Sequence, residues 1–332
     1  MKPIVFFNNK GGVGKTSLVY HLSWMFADLG VKVIAADLDP QANLTSMFFD
    51  DDKVEKLWHT GSPGWTVYGA VEPIMKGTGD ITAPDVEDID DNLGLVPGDL
   101  DLSRFEDKLS DAWFRCLSRD AAEAAFRCFS SFHRILVSAT EQRGADLVLI
   151  DVGPNLGAIN RAAIISAQHV VIPLSPDLYS LQGLRNLGPQ LRNWRDDWNT
   201  RLNYKPDDLD LPEGLMDPAG YVVLQHTSRL DRPTRAYERW ALRIPNEYRQ
   251  SVLDSDADEN VSPRDDPHCL SMLKHYRSLM PMAMEARKPI FHLQPADGAI
   301  GSHMEAVLNC KQDFQDLAVK IAEKCGIELP VV

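Results

Sequence analysis

Residues 8–17, Asn-Asn-Lys-Gly-Gly-Val-Gly-Lys-Thr-Ser, have the make-up of a phosphate-binding loop. Glycines let backbone N–H groups curl around an anion without side-chain clash. A helix opening at the end of such a loop adds its N-terminal amides and its dipole. Lys15 can reach the β- and γ-phosphates of a nucleotide, and the Thr16 hydroxyl can hold Mg²⁺. The candidate nucleotide-binding run is therefore Gly11, Gly12, Val13, Gly14, Lys15, Thr16 and Ser17. A second lysine, Lys10, stands just before the first glycine, where a minimal phosphate loop needs none. Two carboxylates close apolar runs elsewhere: Asp39 after 31–38 and Asp151 after 147–150. Transfer of a phosphoryl group to water needs charge neutralisation, an oriented water and Mg²⁺. Lys15, Thr16, Asp39 and Asp151 are the residues able to supply them, with Thr16, Asp39 and Asp151 as the candidate metal set. Asp37 faces the same region and is a candidate for holding the loop.

These residues need a scaffold that brings them to one edge. Ile4–Phe7 is a short apolar run typical of a buried parallel strand. Leu18–Leu29 carries apolar residues at helical spacing and stops at Gly30. Strands are expected at 3–8, 31–37, 93–97, 147–151, 169–174 and 221–225. Helices are expected at 14–29, 41–48, 65–75, 103–109, 119–142, 156–167, 179–195, 234–250, 269–286 and 301–325. Alternating strands and helices indicate an α/β fold with a mostly parallel, doubly wound sheet. Ligands of such sheets bind beyond the carboxyl ends of the strands, where Lys10, Asp39, Asp151 and Ser175 all fall. One domain over 1–332 is expected, with insertions near 50–91, 196–218 and 251–268.

The lysine-flanked loop resembles that of the deviant Walker A P-loop ATPases, which include ParA and Soj partition proteins, MinD and the nitrogenase iron protein. Asp37-Leu38-Asp39-Pro40-Gln41-Ala42-Asn43-Leu44-Thr45 is similar to the ParA motif at the second strand. Further likeness lies at 147–154, at 171–184 and at 285–303. The resemblance implies a P-loop NTPase fold, ATP and Mg²⁺ as cofactors, and slow, partner-stimulated ATP hydrolysis. It implies that Asp39 orients the attacking water and that Lys10 crosses a dimer interface to the partner's nucleotide. ATP would then hold a face-to-face homodimer and hydrolysis would release it. It also places Gln225 and Pro289 near adenine. One departure stands out: after Asp151 the family has two prolines, whereas this chain has Val152-Gly153-Pro154. That bears on the stiffness of the loop.

Composition bounds the rest. With 44% hydrophobic residues among 332, a substantial core is available. The five cysteines contain no Cys-x-x-Cys pair, which disfavours a metal-cluster carrier and suggests reduced thiols in the cytoplasm. The start leads directly into a strand, so no secretory signal is expected. No apolar run reaches the roughly 18 residues of a membrane span. The end is not an amphipathic helix, which argues against a MinD-like membrane role. The nine histidines form no metalloprotease pattern; His226 alone has a suggestive place near a strand end. Net charge is −14, so DNA is repelled on average and DNA binding would need a local basic face. Arg229, Arg232, Arg235 and Arg239 are the candidates; a second arginine set runs from Arg185 to Arg201. Two functions remain open. One is an ATP-dimerised switch in partitioning DNA or cargo, nucleoid-associated if DNA is bound. The other is a related ATPase that binds no DNA and regulates a protein partner.

Overall fold

The computed structural model describes residues 1–59, 64–118, 122–224, 235–258, 261–276 and 278–330, and the side chains of 235–237 lie outside that description. Among the described residues eight strands form one sheet: β1 (Lys2–Phe6), β2 (Val33–Asp37), β3 (Glu87–Asp90), β4 (Leu93–Val96), β5 (Leu147–Asp151), β6 (His169–Leu174), β7 (Asp217–Leu224) and β8 (Cys269–Leu273). Their order is β3-β4-β2-β5-β1-β6-β7-β8, and every neighbouring pair is parallel except β3 with β4. The expected doubly wound α/β sheet is thus present.

The strands are apolar throughout because both faces are covered. Ile4 and Phe6 of β1 point to a layer built by α1 (Lys15–Asp28), α12 (Leu279–Ala286) and α13 (Ser302–Cys325). Val5 and Phe7 point to the opposite layer, which contains α4 (Val67–Lys76), α5 (Glu106–Arg115), α6 (Ala122–Phe129), α7 (Ser131–Arg143), α8 (Ala158–Ile165) and α9 (Leu178–Leu202). Register then sets the site. Asp151 sits opposite Phe6 on one side and Asp37 on the other, so three strands end in one row.

Several elements differ from the sequence expectation. Residues 269–286 are not one helix: Cys269–Leu273 pairs with β7 as an edge strand, and only 279–286 is helical. The insertion expected near 50–91 carries, among its described residues, α3 (Asp51–His59) and the antiparallel β3 besides the expected helix, α4. The helix expected at 119–142 is two, broken at Ser130. Helix α9 runs past 195 because Trp194, Trp198 and Arg201 continue its buried stripe. Within the insertion expected near 251–268, Asp266 is buried and accepts from Tyr221 Oη (2.7 Å) and Arg249 Nη2 (2.8 Å).

Candidate nucleotide site

The loop between β1 and α1 has the backbone that an anion cradle requires. Gly12 and Gly14 have φ of 73° and 86°, values that L side chains rarely adopt. Gly14 is also the N-cap of α1, so the helix amides open toward the loop. Lys15 begins the helix and is buried. Burial holds its ammonium below its ordinary range, against the opposing pull of Asp151 and then Asp39. A lysine placed so is poised to meet a compact negative charge.

Asp151 is fully buried, and neither carboxylate oxygen has a hydrogen-bond partner in the structure. Burial, and then the charge of Asp37, push it well above the usual carboxylate range, while Thr16 and Lys15 favour its charged form. An unsatisfied buried carboxylate beside a phosphate cradle fits a hydrated divalent cation, which would neutralise it. Among the described residues no cluster of three or more His, Cys, Asp or Glu could hold a metal. A cation here would therefore draw most of its ligands from water and phosphate, as Mg²⁺ does.

The two aspartates of the Asp-Leu-Asp motif divide their work. Asp37 Oδ2 accepts from the Thr45 amide (2.8 Å) and hydroxyl (2.7 Å), and Thr45 Oγ1 in turn accepts from Gly98 N (2.7 Å). Burial raises Asp37 to about 7, with the Thr45 bonds working against the rise. Asp37 is thus the anchor of the loop. Asp39 points elsewhere: its Oδ1 accepts from Gln41 N (3.0 Å) and lies in a cleft of about 680 Å³ with Gly12, Lys15 and Thr16. Ala42 closes the turn at φ 50°, a left-handed value for a buried non-glycine residue, and caps α2 (Asn43–Phe48). Such strain persists where the surroundings fix the turn.

Lys10 folds back on its own protomer. Its Nζ makes an ion pair with Asp177 and lies 6.0 Å from the ring centre of exposed Tyr179. Asp177 also caps α9, accepting from Ser180 N at 2.9 Å. The loop after Asp151 lies close to the glycine loop: a Cβ added at Gly11 would meet Pro154 Cγ at 3.8 Å, an ordinary contact.

A second hollow of about 160 Å³ opens beside Gly14 and Ser17, lined by Leu224, Tyr276, Ile290 and Phe314. Pro289, which precedes Ile290 in the chain, is buried but is not among the residues that line the hollow. Its back wall holds His21, whose Nδ1 lies 2.7 Å from Ser17 O while Nε2 accepts from Ile290 N (3.2 Å). That pattern sets the Nδ1–H tautomer. Gln225, Arg229, Arg232 and His226 lie outside the described residues. Arg235 opens α10 (Arg235–Ala241), and Arg239 is exposed beside Trp240, its guanidinium 5.3 Å from the ring centre.

The AAA domain family profile (AAA_31) matches residues 1–204, most of the chain and all of the motifs above up to α9. The chain belongs to the ParA/MinD-type P-loop ATPases. It is 32% identical to protein IncC of Escherichia coli, over 77% of this chain and 61% of IncC. It is 29% identical to the chromosome-partitioning ATPase Soj of Thermus thermophilus, over 61% of this chain and 66% of Soj. The chain thus spans less than two thirds of these curated relatives. In structure it is similar to protein DIP2308 of Corynebacterium diphtheriae, with TM-score 0.70, 22% identity and 98% of each chain covered. It is also similar to Cyanothece McdA in complex with ATP, with TM-score 0.63, 15% identity and 100% and 99% covered. At these identities the likeness concerns the fold.

Within this ParA/MinD-type frame, Asp177 and His21 stand beside the residues expected from the sequence. Asp177 follows Ser175-Pro176 at a strand end, the same signal that marked Asp39. His21 carried no signal, because a lone histidine on a helix is ordinarily core or surface.

Proposed function

We propose that this chain is a Mg²⁺-dependent ATP hydrolase that dimerises on ATP and acts as a switch in positioning DNA or other cargo in the cytoplasm. The observation that carries the reading is the pairing of a buried lysine in a left-handed glycine loop with a buried carboxylate that has no partner of its own. Lys15 and the loop amides would neutralise and hold the β- and γ-phosphates. Thr16 and Asp151 would hold Mg²⁺, whose contribution when bound is to offset charge building on the phosphoryl oxygens. Asp39, already in the cleft, would orient the attacking water and reach the metal through water. The hollow beside Gly14 suits adenine: Leu224, Tyr276 and Ile290 offer an apolar slot of the right character. Lys10 would leave Asp177 and reach a partner subunit's nucleotide, and a partner protein would speed the slow basal turnover.

Lys15→Ala tests the reading. Titration calorimetry with MgATP is expected to show binding to the wild type and none to the variant; equal affinity in both rejects the assignment.

A second reading, in which no DNA is bound, is favoured by the use of the α9 arginines. Arg185 forms a two-pronged pair with Glu247 (2.9 and 2.7 Å). Arg192 donates to Ser251 O, Arg195 to Leu215 O and Arg201 to Trp113 O. Each of these cations is paired within the fold, which supports a reading in which α9 offers little to DNA.

A further inference from the structure

The loop from Asp151 to α8 lacks the first of the two prolines that stiffen it in the family, and Gly153 stands in its place. A glycine there would loosen the loop unless something else holds it. Asn160, on the first turn of α8, is fully buried and sits under that loop. Its Nδ2 donates twice, to Gly153 O at 2.7 Å and to Asn155 O at 2.6 Å. Both acceptors are carbonyls, so only the amide nitrogen can face them. The loop is fixed at its far end as well. Glu106 of α5 accepts from Ile159 N at 2.9 Å and also from Ala158 N, and Asn155 Oδ1 accepts from Gly157 N at 2.8 Å.

What the loop touches gives these bonds a consequence. A Cβ on Gly153 would lie 3.2 Å from Asp39 Oδ1, so the backbone at 153 is packed on the carboxylate assigned to the attacking water. The next residue, Pro154, packs toward Gly11 of the glycine loop. Gly153 is therefore the wall behind Asp39, and Asn160 is the tether of that wall.

We propose that Asn160 is a positioning residue for hydrolysis: by holding the Gly153 and Asn155 carbonyls it keeps the loop after Asp151 against Asp39, replacing the stiffness a proline would supply. The inference rests on the ATPase reading above. It concerns rate rather than nucleotide affinity, because Asn160 is not among the residues that line the cleft.

The experiment compares full-length wild type with Asn160→Asp, Asn160→Thr and Asn160→Ala. Each is assayed for MgATP affinity, kcat, thermal midpoint, and hydrogen exchange of the amides of 152–158. Asp matches Asn in shape but cannot donate when ionised; Thr keeps one donor. The expected result is MgATP affinity within threefold of wild type for Asp and Thr. Their kcat should fall at least tenfold in Asp and less in Thr, with exchange at 152–158 faster in the same order. Wild-type kcat and exchange in folded Asn160→Asp overturn the proposal. Equal losses of affinity and rate in Thr and Asp also overturn it, since they indicate general damage to the site. If Asn160→Ala fails to fold, the Asp and Thr variants decide. A wild type that binds no MgATP rejects the ATPase reading itself, and a wild type that binds and turns over while the variants match it rejects only the role of Asn160.

Discussion

Lys10 has two possible partners, and the energetic difference between them is small. Within the protomer it pairs with Asp177, where both side chains keep about a third of their exposure. Such half-exposed pairs are worth up to about 1 kcal/mol. Leaving Asp177 to meet a triphosphate across an interface therefore costs little, and a fixed intramolecular lock is not in place. Asp177→Asn isolates this contact, because asparagine caps a helix as well as aspartate does. Its expected effect is an unchanged ATP affinity and an ATP-dependent dimer at most about 30-fold tighter, the equivalent of roughly 1 kcal/mol in each of the two subunits. Lys10→Ala should keep ATP binding and lose ATP-dependent dimerisation. Sedimentation with and without MgATP reads both. A Lys10→Ala protein that still dimerises on ATP would remove Lys10 from the interface.

At the scale of elements, α1 and the turn at Ile290–His292 are joined through His21. The ring is fully buried, and burial lowers it to about 4, while its bond to Ser17 O acts the other way. The unfolded chain takes up this proton near 6.5 and the folded one near 4. Between those values the unfolded state binds more protons, so this contribution to stability is lost as pH falls. Asp37 acts oppositely, since its folded value is about 7 against 3.8 unfolded: its contribution weakens as pH rises through that window. The net slope therefore mixes these two with other shifted groups, Asp151 among them, and a variant is needed to isolate His21. His21→Gln removes one titration and should gain roughly 2 kcal/mol relative to wild type between pH 7 and pH 5. Urea midpoints at the two pH values measure it; parallel shifts in both proteins would show that His21 already takes up its proton in the folded state.

The same scale shows what the sequence could and could not convey. The phosphate loop, β2, β5 and their terminal aspartates were legible because each motif is local and its residues have few alternative uses. Cys269–Leu273 was not, since Leu and Met are also good helix formers. There the deciding influence is the free edge of β7, whose Tyr221 to Leu224 pair with Cys269 to Leu273. Trp198 likewise extended α9 through contacts distant in sequence, stacking on Trp113 at 6.2 Å. Asn160 was hidden for a related reason: its partners are the backbone carbonyls of Gly153 and Asn155, and nothing in its immediate neighbours announces it.

For the molecule as a whole, the open question is whether a chain of charge −14 can hold DNA. The repulsion of the average field can be overcome only by cations gathered on one face. The α9 arginines are committed to internal carbonyls and carboxylates, which leaves the run that includes Arg235 and Arg239 as the remaining candidate. Arg239 and Arg243 lie 5.3 and 5.1 Å from the Trp240 ring centre, and both are exposed. An ATP dimer would place two such runs on one particle, which accounts for a requirement for nucleotide. Expected, then, is DNA binding that depends on MgATP, ignores sequence and weakens steeply with salt. Arg235→Glu/Arg239→Glu should flatten the plot of log affinity against log salt by about 0.9 for each phosphate contact removed on duplex DNA. Fluorescence anisotropy with a random duplex across a salt series makes the comparison. Wild type that fails to bind even at low salt would leave the internal use of the arginines as the dominant fact about this surface. The switch would then act on a protein partner rather than on DNA.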